Sequence, residues 1–134
     1  MSNLPKISEA EYEVMKTLWQ ESPLTSEEII DRLSKRYKWS SQTIKIFITR
    51  LSKKEALSYE KKGRTYYYYP LISEKEALSY ENKSFLKRVY DGAVGLLISN
   101  FIQDKALTLD DINEIEKILN DKKAELAPEE GDDV

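Results

Sequence analysis

Apolar and polar positions along the chain fall into helical and alternating stretches. Ala10, Val14 and Leu18 share one face at helical spacing, with Met15 and Trp19 beside them. Ser8-Glu9-Ala10-Glu11 is a capping box, a serine at the N-cap with glutamate three residues on. A helix is therefore predicted to about Gln20, where Ser22-Pro23 stops it. Thr25-Ser26-Glu27-Glu28 repeats the signal for a second helix, which turns Ile29, Ile30 and Leu33 inward and ends near Tyr37. Trp39-Ser40-Ser41 starts a third, from about Ser41 to Lys54. It gathers Ile44, Phe47, Ile48 and Leu51 on one face and shows Gln42, Thr43, Lys45, Ile46, Thr49, Arg50 and Lys53 on the other.

The period then changes from helix to strand. Leu57 to Lys61 and Thr65 to Tyr69 are predicted strands, joined by the Gly-containing turn Lys62-Gly63-Arg64 and closed by Pro70. Alternation along Tyr66 to Tyr69 points two rings inward and two outward. The inward pair packs on the core; stacking on single-stranded bases is a second role for such a run. Trp19 and Trp39 are expected in core and turn packing. From Leu71 onward the pattern is helical again. Ser73-Glu74-Lys75-Glu76 caps a helix to about Tyr90, Asp91-Gly92 breaks it, and Ala93 to Gln103 forms the most apolar helix. Thr108-Leu109-Asp110-Asp111 opens a last one carrying Leu109, Ile112, Ile115, Ile118 and Leu119. Glu114, Glu116 and Lys117 are surface charges of that helix.

Three helices followed by a hairpin is the order of a winged helix-turn-helix, in which the third helix enters the major groove. The expected fold is mainly α with a small β-hairpin wing. Residues 1–71 form the winged-helix domain, residues 72–124 a helical dimerisation region, and residues 125–134 an acidic disordered tail.

Charge sharpens this picture. The net charge of −3 alone argues against a nucleic-acid partner. Its distribution argues the other way. Residues 1–70 carry 13 Lys/Arg against 9 Asp/Glu, whereas residues 71–134 carry 8 against 15. Between Arg32 and Arg64 there are 11 basic residues and only 2 acidic ones, Glu55 and Glu60, an electrostatic footprint for a polyanion. Composition excludes much else. With no cysteine and no histidine, the chain has no disulfide, no thiolate or imidazole metal ligand, no Cys nucleophile and no Ser-His triad. No cofactor or metal is expected, and only hard ions on carboxylates remain open. No targeting segment and no apolar run of membrane-spanning length stands out, so a soluble cytoplasmic chain with no membrane insertion is expected.

The candidate DNA-binding residues are Ser40, Ser41, Gln42, Thr43, Lys45, Ile46, Thr49, Arg50 and Lys53 on the third helix, with Lys62 and Arg64 on the wing. Gln42 and Thr43, near the helix N-terminus, suit base edges, while Lys45, Arg50, Lys53 and Arg64 suit phosphates. Ile46 can touch a thymine methyl or pack on the neighbouring helix. The candidate dimerisation residues are Phe85, Val89, Leu97, Phe101, Leu109, Ile112, Ile115 and Leu119, because short amphipathic helices have too little core of their own. A two-fold axis also suits an inverted repeat.

Ile7-Ser8-Glu9-Ala10-Glu11-Tyr12-Glu13-Val14-Met15 with Leu18-Trp19, Trp39-Ser40 with Thr43-Ile44, and Arg50-Leu51 with Lys53-Lys54 form a recognisable combination. So do Gly63-Arg64, Tyr68 with Pro70, Ser84-Phe85 and Asn100-Phe101. From about residue 7 to residue 123 the chain resembles the penicillinase and methicillin-resistance repressors (BlaI/MecI), whose relatives include copper-responsive repressors of the CopY type. The resemblance implies a homodimeric repressor on an inverted-repeat operator of TACA…TGTA type, dimerised through C-terminal helices. It further implies derepression by cleavage at an Asn-Phe bond, here Asn100-Phe101, triggered by a membrane sensor protease. The chain departs from the copper branch in having no Cys-x-Cys pairs. It departs from the β-lactam branch at Gln42 and Ile46, where Lys and Thr are expected, so operator preference can differ.

Three other functions compete. A winged-helix protein-interaction module has no need of the basic strip at residues 32–64. An enzyme lacks any surviving motif, and four glycines hold no phosphate loop. A repressor released by a small ligand rather than by proteolysis is compatible with every residue above.

Overall fold

The computed structural model describes residues 4–104 and 106–128. The chain divides into two compact units, Met1–Phe85 and Leu86–Val134. The first holds α1 (Glu9–Gln20), α2 (Ser26–Arg36), α3 (Ser41–Lys53), β1 (Leu57–Lys62), β2 (Thr65–Pro70) and most of α4 (Glu74–Tyr90). The capping boxes read from sequence are formed: Ser8 with Glu11, Thr25 with Glu28 and Ser73 with Glu76 exchange backbone and side-chain hydrogen bonds. Each satisfies two backbone N–H groups that a helix start would leave without partners.

Amphipathic spacing decides which faces meet. Val14, Met15 and Leu18 of α1, Ile29 and Leu33 of α2, and Ile44, Ile48 and Leu51 of α3 are all buried in one cluster. Each such side chain contributes about 1.5–3 kcal/mol on leaving water. Trp39 seals the turn between α2 and α3, stacked on Tyr37 at 4.4 Å and edge-on to Phe47 at 5.3 Å.

The hairpin pairs antiparallel from Leu57↔Pro70 to Lys62↔Thr65. β1 runs one residue further than the alternation predicts, so the turn is Gly63-Arg64, with Gly63 at φ +65°. Glycine enters that region without a Cβ penalty. Leu24, just after the Pro23 stop, bridges to Tyr68 through two backbone hydrogen bonds of 3.0 and 2.7 Å, a pairing the sequence pattern did not announce.

The expected boundary after Leu71 falls inside the first unit. Ile72 and Ala77 are buried in its core, and Trp19 Nε1 donates to the Ile72 carbonyl at 2.8 Å. The start of α4 is therefore a wall of the winged helix rather than the beginning of the next region.

The second unit contains the end of α4, α5 (Val94–Asp104) and α6 (Leu109–Leu126). Among its described residues none is buried, although α5 is the most apolar helix of the chain. α6 is capped by Thr108 and Asp111 and persists to Leu126, where the Ala127 N–H reaches the Lys123 carbonyl. This corrects the tail expected from residue 125, since residues 125 and 126 continue the α6 ladder. The remainder of that acidic tail, residues 129–134, lies outside the described residues.

Candidate nucleic-acid interface

α3 is built to show one polar face. Ile44, Ile48 and Leu51 are buried, while Ser41, Gln42, Lys45, Ile46, Thr49, Arg50 and Lys53 are exposed. Thr43 is half-buried. Ser40 is the N-cap: its Oγ accepts from the Thr43 N–H at 3.1 Å and donates to Thr43 Oγ1 at 3.0 Å. That side chain thus positions the first turn of α3. The helix carries Lys45, Arg50 and Lys53 and no acidic residue, whereas α1, α2, α4 and α6 each hold two acids in their first turns. Its N-terminal partial positive charge is not offset, which favours an anionic neighbour.

Among the described residues no carboxylate lies within ion-pair distance of Lys45, Arg50, Lys53 or Arg64. Others in the basic strip are engaged. Arg32 pairs with Glu21 at 2.7 Å and Lys35 with Asp31 at 3.2 Å. Lys62 lies 4.0 Å from Glu60 and over the ring of Tyr67. Lys54 turns away from the strip altogether, donating to the Glu11 carboxylate and to the Lys6 carbonyl. Glu11 is 2% exposed. Burial pushes its carboxyl pKa up, but the Lys54 hydrogen bond, the Ser8 N–H and the Lys54 charge outweigh that and hold it below the ordinary value. This pair ties the C-terminal end of α3 to the start of α1.

The wing is stiffened by its tyrosines. Tyr59 and Tyr66 stack at 4.5 Å with rings 7° from parallel, and Tyr68 meets Tyr59 edge-on at 5.8 Å. Tyr68 packs against the core while Tyr66 stays outside it, so the two rings of one face are not equivalent. Lys61 lies over Tyr66. An open groove of about 410 Å³ runs between this face and the start of α2, lined by Thr25, Ser26, Glu27, Lys61, Arg64, Thr65, Tyr66 and Tyr68. Of these, Lys61 and Arg64 are the two that the sequence places near a phosphate backbone or the minor groove. Strand alternation puts Lys61 on the same face as Tyr59 and Lys62 on the other.

The residues assigned from sequence to other roles lie elsewhere. Asn100 and Phe101 sit in α5, with Asn100 Nδ2 donating to Tyr90 Oη at 3.5 Å and Phe101 48% exposed. Val89, Leu109 and Leu119 are exposed, as is Phe85, while Leu97, Ile112 and Ile115 are half-buried. Phe85 belongs to the first unit. Among the described residues no carboxylate group is arranged to hold a metal ion, and no helix is long and apolar enough to cross a membrane.

Comparison with known proteins extends this geometry. A family model described as penicillinase repressor matches residues 7–121. The penicillinase repressor of Bacillus licheniformis is 40% identical over 123 residues, covering 92% of this chain and 96% of that protein. The methicillin resistance regulatory protein MecI of Staphylococcus aureus (strain N315) is 35% identical over 117 residues, covering 87% of this chain and 95% of that one. The solution structure of monomeric Bacillus licheniformis BlaI in complex with the blaP half-operator superposes with a TM-score of 0.51 and 45% identity. It covers 57% of this chain and 93% of that one.

Proposed function

The chain belongs to the penicillinase repressor family, and from that membership and the site geometry we propose a homodimeric transcriptional repressor. It binds an inverted-repeat operator of TACA…TGTA type in double-stranded DNA through α3 and the wing, and it acts in the cytoplasm. The observation that carries this reading is the exposed face of α3, whose three cations have no carboxylate partner among the described residues. Gln42 and Thr43 are assigned to base edges. Lys45, Arg50, Lys53, Lys62 and Arg64 are assigned to the phosphate backbone, which positions the helix without reading sequence.

Dimerisation is assigned to the second unit, together with Phe85. No described residue of its helices is fully buried; Val89, Phe101, Leu109 and Leu119 are exposed and Leu97, Ile112 and Ile115 only half-buried, so this apolar surface calls for an apolar partner. A second copy supplies one with the two-fold symmetry that an inverted repeat requires. Induction is assigned to a cut at Asn100-Phe101 by a membrane sensor protease, which removes part of α5 and all of α6. Two subunits make roughly 6–10 phosphate contacts, a number that loses about 10³–10⁵ in affinity between 50 and 200 mM salt. Separating the subunits therefore weakens binding without any change in α3.

Fluorescence anisotropy on a labelled inverted-repeat duplex beside a scrambled one, at two salt concentrations, tests the reading. Tight, selective and steeply salt-dependent binding is expected. Equal weak binding to both duplexes would reject the half-site, and no binding at low salt would reject DNA recognition.

A further inference from the structure

Ile46 lies in the middle of the polar face of α3. Gln42 precedes it by one helical turn, and Thr49 and Arg50 follow by one. The sequence leaves it two roles, contact with a thymine methyl or packing on the neighbouring helix. Its side chain is 49% exposed and is absent from the residues packed on the core, whereas the adjacent Phe47 is among them. An apolar β-branched side chain is thus held out toward solvent between groups that form hydrogen bonds. In a helix such a side chain is stiff at χ1, so it presents its methyl groups with little entropy left to lose.

Within a major groove this chemistry has one good partner. Base edges there display hydrogen-bond donors and acceptors, and the single apolar group is the C5 methyl of thymine. Against the amino group of cytosine, isoleucine displaces water and returns no hydrogen bond. We propose that Ile46 is a specificity-determining residue that reads a thymine methyl in each half-site. The assignment rests on the placement of α3 in the major groove proposed above and adds the chemical group that it recognises.

A uracil scan tests it with the full-length native chain. Each thymine of the inverted-repeat duplex is replaced singly by deoxyuridine, which removes the methyl and leaves every hydrogen-bonding atom in place. One position in each half-site should weaken binding about fourfold, the worth of one buried methyl-sized group, and the others should change little. Ile46→Ser should bind the native duplex more weakly and lose the uracil penalty at that position. Ile46→Val should retain most of the penalty. A flat scan on a duplex that is still bound selectively would overturn the inference and leave the repressor reading standing. A penalty that persists unchanged in Ile46→Ser would also overturn it, by assigning the methyl to another side chain. Failure of the native chain to prefer the inverted repeat over the scrambled duplex would remove both.

Discussion

Lys54 shows how little a single residue's type says about its task. By composition it belongs to the basic strip, yet its ammonium group serves Glu11, 43 residues away in sequence. No local pattern could announce that contact, because it depends on how α1 packs on α3. The two partners are unequally buried, Glu11 at 2% and the Lys54 side chain at 32% exposure. Removing either therefore has different consequences. Glu11→Gln leaves a lysine that can swing into water, so a loss of about 1–3 kcal/mol is expected. Lys54→Met strands a buried carboxylate, at a cost of about 3–5 kcal/mol near neutral pH. The pH dependence distinguishes them further. In the native chain the Glu11 pKa is lowered on folding, so its contribution is present above the unfolded value of 4.5 and is lost as pH falls through the folded value. In Lys54→Met only burial and the Ser8 contacts remain, and the carboxyl pKa rises. The deficit of that variant relative to native should then shrink as pH falls toward 4.5. Urea unfolding at neutral and acidic pH measures both effects. Equal losses in the two variants, or a Lys54→Met deficit indifferent to pH, would show that the pair does not act as described.

At the scale of the element, starts were more legible than stops. Capping boxes are short sequence signatures, and Ser8, Thr25, Ser73 and Thr108 fulfil theirs. The end of α3 has no such mark. The Glu55 N–H bonds to the Ser52 carbonyl and the Ala56 N–H to the Leu51 carbonyl, with Glu55 at φ +63°. This is a Schellman ending in which glutamate occupies the left-handed position usually held by glycine. The buried pair Leu51 and Ala56 closes the motif, which explains why a poor residue is tolerated. Glu55→Gly should stabilise the chain by about 0.5–1 kcal/mol, the left-handed strain removed less the extra freedom of glycine in the unfolded chain. Glu55→Asn should give part of that gain, while Glu55→Val should destabilise. Thermal melts of the three variants decide the point, and a Glu55→Gly protein that melts below native would contradict it. The same variants separate strain from charge, since Glu55→Gly and Glu55→Asn remove the same carboxylate beside the basic strip.

At the scale of the molecule, the winged helix was readable because its core is stitched from local periodicities. The division of the chain was less so. Pro70 and the capping box at Ser73 look like a boundary, but the Trp19 bond to Ile72 and the burial of Ala77 carry the first unit to Phe85. The unit thereby has a complete core without α5 or α6, and this gives the proposed induction mechanism a direct test. A chain ending at Asn100 should keep the folded winged helix, sediment as a monomer and bind the operator with about half the native salt slope, because the slope scales with the phosphates contacted. The full-length chain should sediment at twice its 15.6 kDa mass. A truncated chain that remains dimeric, or a full-length chain that is monomeric at micromolar concentration, would detach dimerisation from α5 and α6. The proposed cleavage at Asn100-Phe101 is tested separately from dimerisation. In cells that make the sensor protease, Asn100→Ala and Phe101→Ala should leave the chain uncut and the regulated genes silent under inducer. Induction at native levels in both variants would remove this bond from the switch while leaving α3, the wing and the operator as they are.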